Sequence, residues 1–243
     1  MLYTHEFEIT PDIKIHVPTI REILFQCGEN KYFDMVSYFT ATSYDLMLEL
    51  EEAGIRYETV SDFDLFLQRF ENLQQEDTSI LFPDLDLTEF HQANDTETGN
   101  IVLWNGKDIV IDHVIFWQIA NFFRQITHSK RNYEKMGNEE ARRYVLEKLK
   151  KKRRRLQRKQ QKSQSTFTTI EQCIISLVNT TEFHYDYNSV LDLTLIQFNS
   201  SLHQVPKKIH CDYMMTGVFM GTIDPKKNTN QLNWMMTDND TMH

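Results

Sequence analysis

The chain has 243 residues, of which 40% are hydrophobic, with a net charge of −9, 3 cysteines and 7 glycines. That length allows at least one real core and one or two domains. The odd, widely spaced Cys27, Cys173 and Cys211 disfavour a disulfide framework or a zinc site, and so few glycines leave little material for a phosphate-cradling loop.

In chain order, the start carries no apolar signal-peptide core. In residues 12–17, Ile13 and Ile15 alternate with Lys14 and His16, which predicts an edge strand ending at Pro18. Helices are expected near residues 20–27, 43–53, 62–74, 113–128, 139–161, 169–179 and 190–204. The start signals are a cap residue followed three positions later by an acid: Thr19 with Glu22, Thr42 with Asp45, Ser61 with Asp64, Thr168 with Glu171, and Ser189 with Asp192. Gly28 and Gly54 stand where C-caps would follow the first two helices. Asn105-Gly106, flanked by apolar runs, predicts a β-hairpin over residues 101–111 with a type I′ turn. Residues 74–84 and 92–100 read as loops.

Ile111, Val114, Ile115, Ile119, Phe122, Phe123 and Ile126 recur at helical spacing and call for a partner surface, expected from Phe63, Phe66, Leu67 and Phe70. Farther on, the stripe Ile170, Cys173, Ile174, Leu177 is expected to face Leu191, Leu195, Phe198 and Leu202. The apolar run at residues 110–126 is interrupted by Asp112, His113, Gln118, Asn121, Arg124 and Gln125, so no membrane span is expected.

Charge is segregated. Residues 124–162 hold sixteen basic side chains against four acidic ones, whereas residues 1–123 are net −17. The expected architecture is mainly α with a small β-hairpin (α+β): an acidic N-terminal lobe (1–128), a basic helical linker (129–165) and a C-terminal helical lobe (166–243). Lys150, Lys151, Lys152, Arg153, Arg154, Arg155 and Arg158 are the candidate partner-binding residues. Val145, Leu149 and Leu156 form a thin apolar line on the same helix, interrupted by Lys152. Three partners fit this tract: the chain's own acidic surface, an acidic protein, or a nucleic acid, whose phosphates such a run could neutralise. Against nucleic acid stand the absence of stacking aromatics after Tyr144 and the net negative charge.

Catalytic chemistry is sparse. HExxH, Walker, GxGxxG and GxSxG motifs are absent from the sequence. Asp84-Leu85-Asp86 could offer two carboxylates to a cation, but reads better as a loop anchored by Leu85 and Leu87. His210-Cys211-Asp212 sets a thiol beside an imidazole whose side chain should point elsewhere. No catalytic residue, metal or cofactor is assigned, and a non-enzyme is expected. Met214, Met215, Met220, Met235 and Met236, with Phe219 and Trp234, read as core filler or a docking element, and residues 237–243 as a frayed end.

Several phrases carry a resemblance: Ile15-His16-Val17-Pro18-Thr19-Ile20-Arg21-Glu22-Ile23, Gly28-Glu29-Asn30-Lys31-Tyr32-Phe33, Phe39-Thr40-Ala41-Thr42, Asn138-Glu139-Glu140-Ala141-Arg142, Ser176-Leu177-Val178-Asn179-Thr180, Asp192-Leu193-Thr194, Gln197-Phe198-Asn199 and Leu232-Asn233-Trp234. Together they resemble a family of tail-region proteins of phages and prophages of Gram-positive bacteria. The resemblance implies a tail assembly chaperone or a minor virion protein of neck or baseplate, in the host cytoplasm or the virion. Its implied partners are the tape measure or tail tube proteins, with a homo-oligomer left open. The dense basic core at residues 150–155 departs from the family pattern.

Overall fold

The structure is a computed structural model that describes residues 2–96, 98–133, 136–160, 168–228 and 232–235. The expected frayed end at 237–243, Met236, and the last residues of the basic linker lie outside the described residues. The fold is α+β and mainly helical, with two small antiparallel sheets.

The chain opens with β1 (Glu6–Thr10) and β2 (Ile13–His16), paired antiparallel with Phe7 opposite Ile15. The alternation in β2 does what the sequence predicts: Ile13 and Ile15 are buried while Lys14 and His16, which alternate with them, are partly covered. α1 (Ile20–Glu22) continues as a π-helical turn, Ile23–Cys27, that ends at Gly28 with φ 88°. α2 (Glu29–Thr40) follows, then α3 (Met47–Glu52) and α4 (Asp62–Leu73).

A meander of β3 (His91–Asn94), β4 (Ile101–Trp104) and β5 (Val110–Ile111) precedes α5 (His113–Ile126). The chain then builds α6 (Glu139–Gln160), α7 (Thr169–Val178) and α8 (Leu195–Phe219).

Several sequence expectations need correction. The hairpin exists, but Trp104 pairs with Val110, so residues 105–109 form a longer loop than a type I′ turn. The Asn105 side-chain oxygen accepts from the amides of Lys107 and Ile109, and only Gly106 adopts positive φ. β3 falls in a segment expected to be loop. The pair Thr42 and Asp45 makes both reciprocal hydrogen bonds of a capping box, yet the α-helix begins only at Met47. Ser189 likewise binds Asp186 rather than Asp192, and the box that starts α8 is Thr194 with Gln197. α8 also runs through Pro206 instead of ending before it. A proline inside a helix removes one donor without ending the helix when tertiary contacts hold the next turns. Here Cys211 is buried and its thiol donates to Leu232 O at 3.1 Å.

One hydrophobic core serves both ends of the chain. Phe39, Phe66, Phe82, Phe116 and Phe123 form its centre, with ring centroids 5.0 Å apart for Phe39–Phe66 and 4.8 Å for Phe66–Phe116. The expected packing of α5 on the Phe63–Phe70 face of α4 is present. Ile170, Ile174, Leu177, Val190, Leu195 and Phe198 belong to the same buried cluster. The division into 1–128, 129–165 and 166–243 is therefore not a division of this core.

Polar contacts fix the same union. Ile20 N donates to Leu193 O (2.9 Å) and Leu195 N to Pro18 O (2.8 Å), making an antiparallel bridge between Thr19 and Thr194. Arg21 donates twice to Asp192 Oδ1, at 3.0 and 2.9 Å. Glu29 is buried and accepts from Ile170 N at 3.0 Å, satisfying one orphan amide at the start of α7. Asn199 caps the end of α5 by donating to Ile126 O at 2.8 Å.

Because the two halves share a core, unfolding should be one cooperative event. Phe66→Ala should remove about 3–5 kcal/mol, and the urea transitions followed by tryptophan fluorescence and by far-UV circular dichroism should coincide. Two separated transitions would show that the halves fold independently.

Candidate partner interface on the basic helix

α6 docks along one side onto α3 and the turn after it. Leu146 is buried, and Met136, Val145 and Leu149 pack with it against Met47, Leu48, Leu50, Tyr57 and Leu65. This second cluster is separate from the main core. Charge lines its edges. Arg142, 6% exposed, donates to Glu51 and to Glu139 (3.2 Å), lies 3.8 Å from Glu58, and sits 5.6 Å from the Tyr57 ring centre. Two turns past Leu146, Arg153 makes a two-pronged contact with Glu52 at 2.7 and 3.2 Å and lies 3.7 Å from Glu49.

Residues 142, 145, 146, 149 and 153 recur at three- and four-residue steps, so they share one face. This is the docking stripe, and it differs from the line expected from sequence. Leu156 continues that line but is 48% exposed, because α3 ends before reaching it. Neither Arg142 nor Leu146 is among the candidate partner-binding residues of the sequence; their spacing from Leu149 is the available signal.

Of the candidate partner-binding residues, the structure places Arg153 on the docked face, bound to the chain's own carboxylates. Lys150, Lys151, Lys152, Arg154, Arg155 and Arg158 are exposed on the remaining faces. Lys151 lies 3.9 Å from Glu147, an exposed pair of the kind that contributes little. Among the described residues, the other five have no carboxylate within ion-pair distance. Arg124, at the head of the basic tract, is no part of this surface. It is buried against α4, donates to Thr40 O at 2.9 Å and lies 3.8 Å from Asp62. Burial pushes its pKa down and Asp62 opposes that.

Other groups offer less. A cavity of about 460 Å³ lies between β2, the π-helical turn and the 77–83 loop, lined by His16, Glu22, Cys27, Lys31 and Asp77. Burial raises the Cys27 pKa, which keeps the thiol protonated and a poor nucleophile. His210 is exposed while Cys211 is buried, so that adjacent pair diverges. Asp86 caps Thr88 with a 2.9 Å contact, and Leu85 and Leu87 are buried as core anchors. Among the described residues no group of three or more His, Cys, Asp or Glu is placed to hold a metal ion, and no helix is long and apolar enough to cross a membrane.

At the C-terminal end, Tyr213, Phe219, Met220 and Met235 are exposed rather than packed as core filler, while Met214 and Met215 are partly covered. α8 extends past the core here.

Two outcomes follow. Arg142→Gln should lower the urea midpoint more than Arg153→Gln. Arg142 is nearly enclosed with three carboxylates around it, whereas the Arg153 side chain is 41% exposed and screened by solvent. Equal shifts would mean that the apolar stripe alone holds α6. Glu22 gives the second. Burial raises its pKa, but hydrogen bonds from Thr19 and the charge of His16 outweigh this and hold it below its ordinary 4.5. A carboxylate with a depressed folded pKa contributes stability above its unfolded pKa and loses it as pH falls through the folded one. Wild type should therefore lose stability below about pH 4.5 more steeply than Glu22→Gln, read as urea midpoints across pH 3–6; parallel curves would remove Glu22 from the account.

Residues 159–237 match the model of a phage-derived family described as the YomV second domain. No curated protein and no solved structure matches the chain. The matched stretch begins at the last residues of α6 and takes in α7, the Thr194 junction, α8 and the described segment after it. The C-terminal end of the chain is thus similar to a phage-related domain.

Proposed function

We propose that this chain is a non-enzymatic phage assembly factor that works by protein–protein contact, holding a tail polypeptide before polymerisation. The observation that carries this reading is the similarity of residues 159–237 to a phage-derived domain. That stretch leaves large apolar side chains uncovered: Phe219 is 82% exposed, Tyr213 75% and Met220 74%. Exposed aromatic and methionine side chains on a helix adapt well to an apolar partner. The resemblance in the sequence points to the tape measure or the tail tube protein as that partner, and to the host cytoplasm as the place of contact.

The same features suit a virion component of neck or baseplate, which would bury the end of α8 permanently. Particle composition separates the two readings. In cells producing the phage, a tagged chain should co-purify with tape measure or tube protein, and mass spectrometry of purified particles should not find it. Presence at fixed copy number in particles would replace the chaperone with a structural subunit. Association with neither would end both.

A further inference from the structure

We propose that the outer face of α6, over residues 148–158, binds a duplex nucleic acid by laying the helix in a groove and contacting phosphates on both walls. This goes beyond the tail-assembly reading and does not depend on it.

The geometry of charge around the helix points to this partner. At 100° per residue, Lys150, Arg154, Arg158, Lys151, Arg155, Lys148 and Lys152 follow one another around roughly 200° of circumference. Val145, Leu149, Arg142, Arg153 and Leu146 occupy the remaining arc, which α3 covers. The two arcs do not overlap. The chain's own acidic surface therefore neutralises one side of α6 and leaves the other side free. Only Glu147 interrupts the outer arc over residues 147–158.

The width of that arc selects among anions. A protein surface meets a helix along a stripe of about 100°, which a narrower row of cations would serve. A duplex groove presents phosphates to both flanks of whatever lies in it. The major groove of B-form DNA, about 12 Å wide, admits an α-helix. Cations at both edges of a roughly 200° arc suit two walls better than one surface.

The free helix also carries its cations as neighbours. Lys148 with Lys152, Lys150 with Arg154, Lys151 with Arg155, and Arg154 with Arg158 stand four residues apart, a like-charge arrangement that destabilises a helix. A line of phosphates would convert each repulsion into a shared attraction. Among the described side chains of residues 148–158 all are Lys or Arg except Leu149 and Leu156, so the contacts would position the duplex rather than read its bases. The net −9 of the chain opposes approach only within a Debye length, about 8–10 Å at physiological salt, and the outer arc faces away from the acidic α3.

The test uses the full chain and a fluorescent duplex of arbitrary sequence, read by anisotropy. Six phosphate contacts predict a fall in affinity of about 10³-fold between 50 and 200 mM salt. A second duplex of unrelated sequence should bind equally. The surface variant Lys151→Gln/Arg154→Gln/Arg155→Gln/Arg158→Gln, checked for folding by circular dichroism, should lose most of the binding and flatten the salt slope by about one unit per residue replaced. Absence of binding at 50 mM salt would overturn the proposal, as would binding that survives the variant. Single-stranded DNA bound as tightly as the duplex would remove the groove. Polyglutamate displacing the duplex at equal charge concentration would identify an acidic protein as the partner instead.

Discussion

The junction at Thr19 and Thr194 is the contact on which the arrangement of this protein depends. Two helix starts, each closed by its own capping box, lie side by side and exchange backbone hydrogen bonds through Ile20, Leu193, Pro18 and Leu195. Each capping box satisfies the N-cap and N3 amides of its own helix, and the junction supplies carbonyl acceptors for the two first-position amides, Ile20 N and Leu195 N. It also fixes position. It sets the first turn of α8 against α1 with Ile20, Val190 and Leu195 buried together, and from there α8 carries Phe198 and Asn199 to the core and to the end of α5. The phage-related stretch is thus seated on the N-terminal helices through main-chain bonds, which tolerate side-chain change.

The second organising constraint is electrostatic and acts at short range. An acidic chain with a dense basic tract could neutralise itself only where carboxylates come within a few ångströms of the cations, because exposed charges farther apart are screened. α3 and the turn after it supply Glu49, Glu51, Glu52 and Glu58, and among the described residues the basic side chains of α6 that they reach are Arg142 and Arg153. Apolar contact does the rest: Leu146, Val145 and Leu149 fix the rotation of α6 and so decide which cations turn inward. The segregation of charge in the sequence becomes, in the fold, a helix with one neutralised side and one free side.

The two exposed features sit on different elements and carry different chemistry. The outer arc of α6 is cationic and nearly free of apolar groups; the end of α8 is apolar and aromatic. They do not compete for one ligand. A nucleic-acid contact on the first and a polypeptide contact on the second can coexist in one molecule.

The sequence by itself determined what is local. The capping boxes at Thr19, Ser61 and Thr168, the apolar periodicity of α4 and α7, and the alternation in β2 are each set by neighbours within a few residues, and each appears as expected; the expected stripe of α5 holds except that Val114 is exposed and Phe116 is buried. Where a local signal was missing, the element was missed. α2 starts at Gly28 with no side-chain cap and is rich in aromatic residues, so it is held as a helix by packing of Tyr32, Met35, Val36 and Phe39 against α4 and α5. β1 and β3 are mostly polar and become strands only because β2 and β4 offer partners. Only the tertiary structure decided that one core joins the two ends, since Ile170 and Phe198 share one buried cluster with Phe39, which lies more than a hundred residues earlier in the chain. It also decided which cations of α6 are bound and which are free. Spacing defines the faces of a helix, but a face acquires its role from the surface brought against it, and that surface comes from a distant part of the chain.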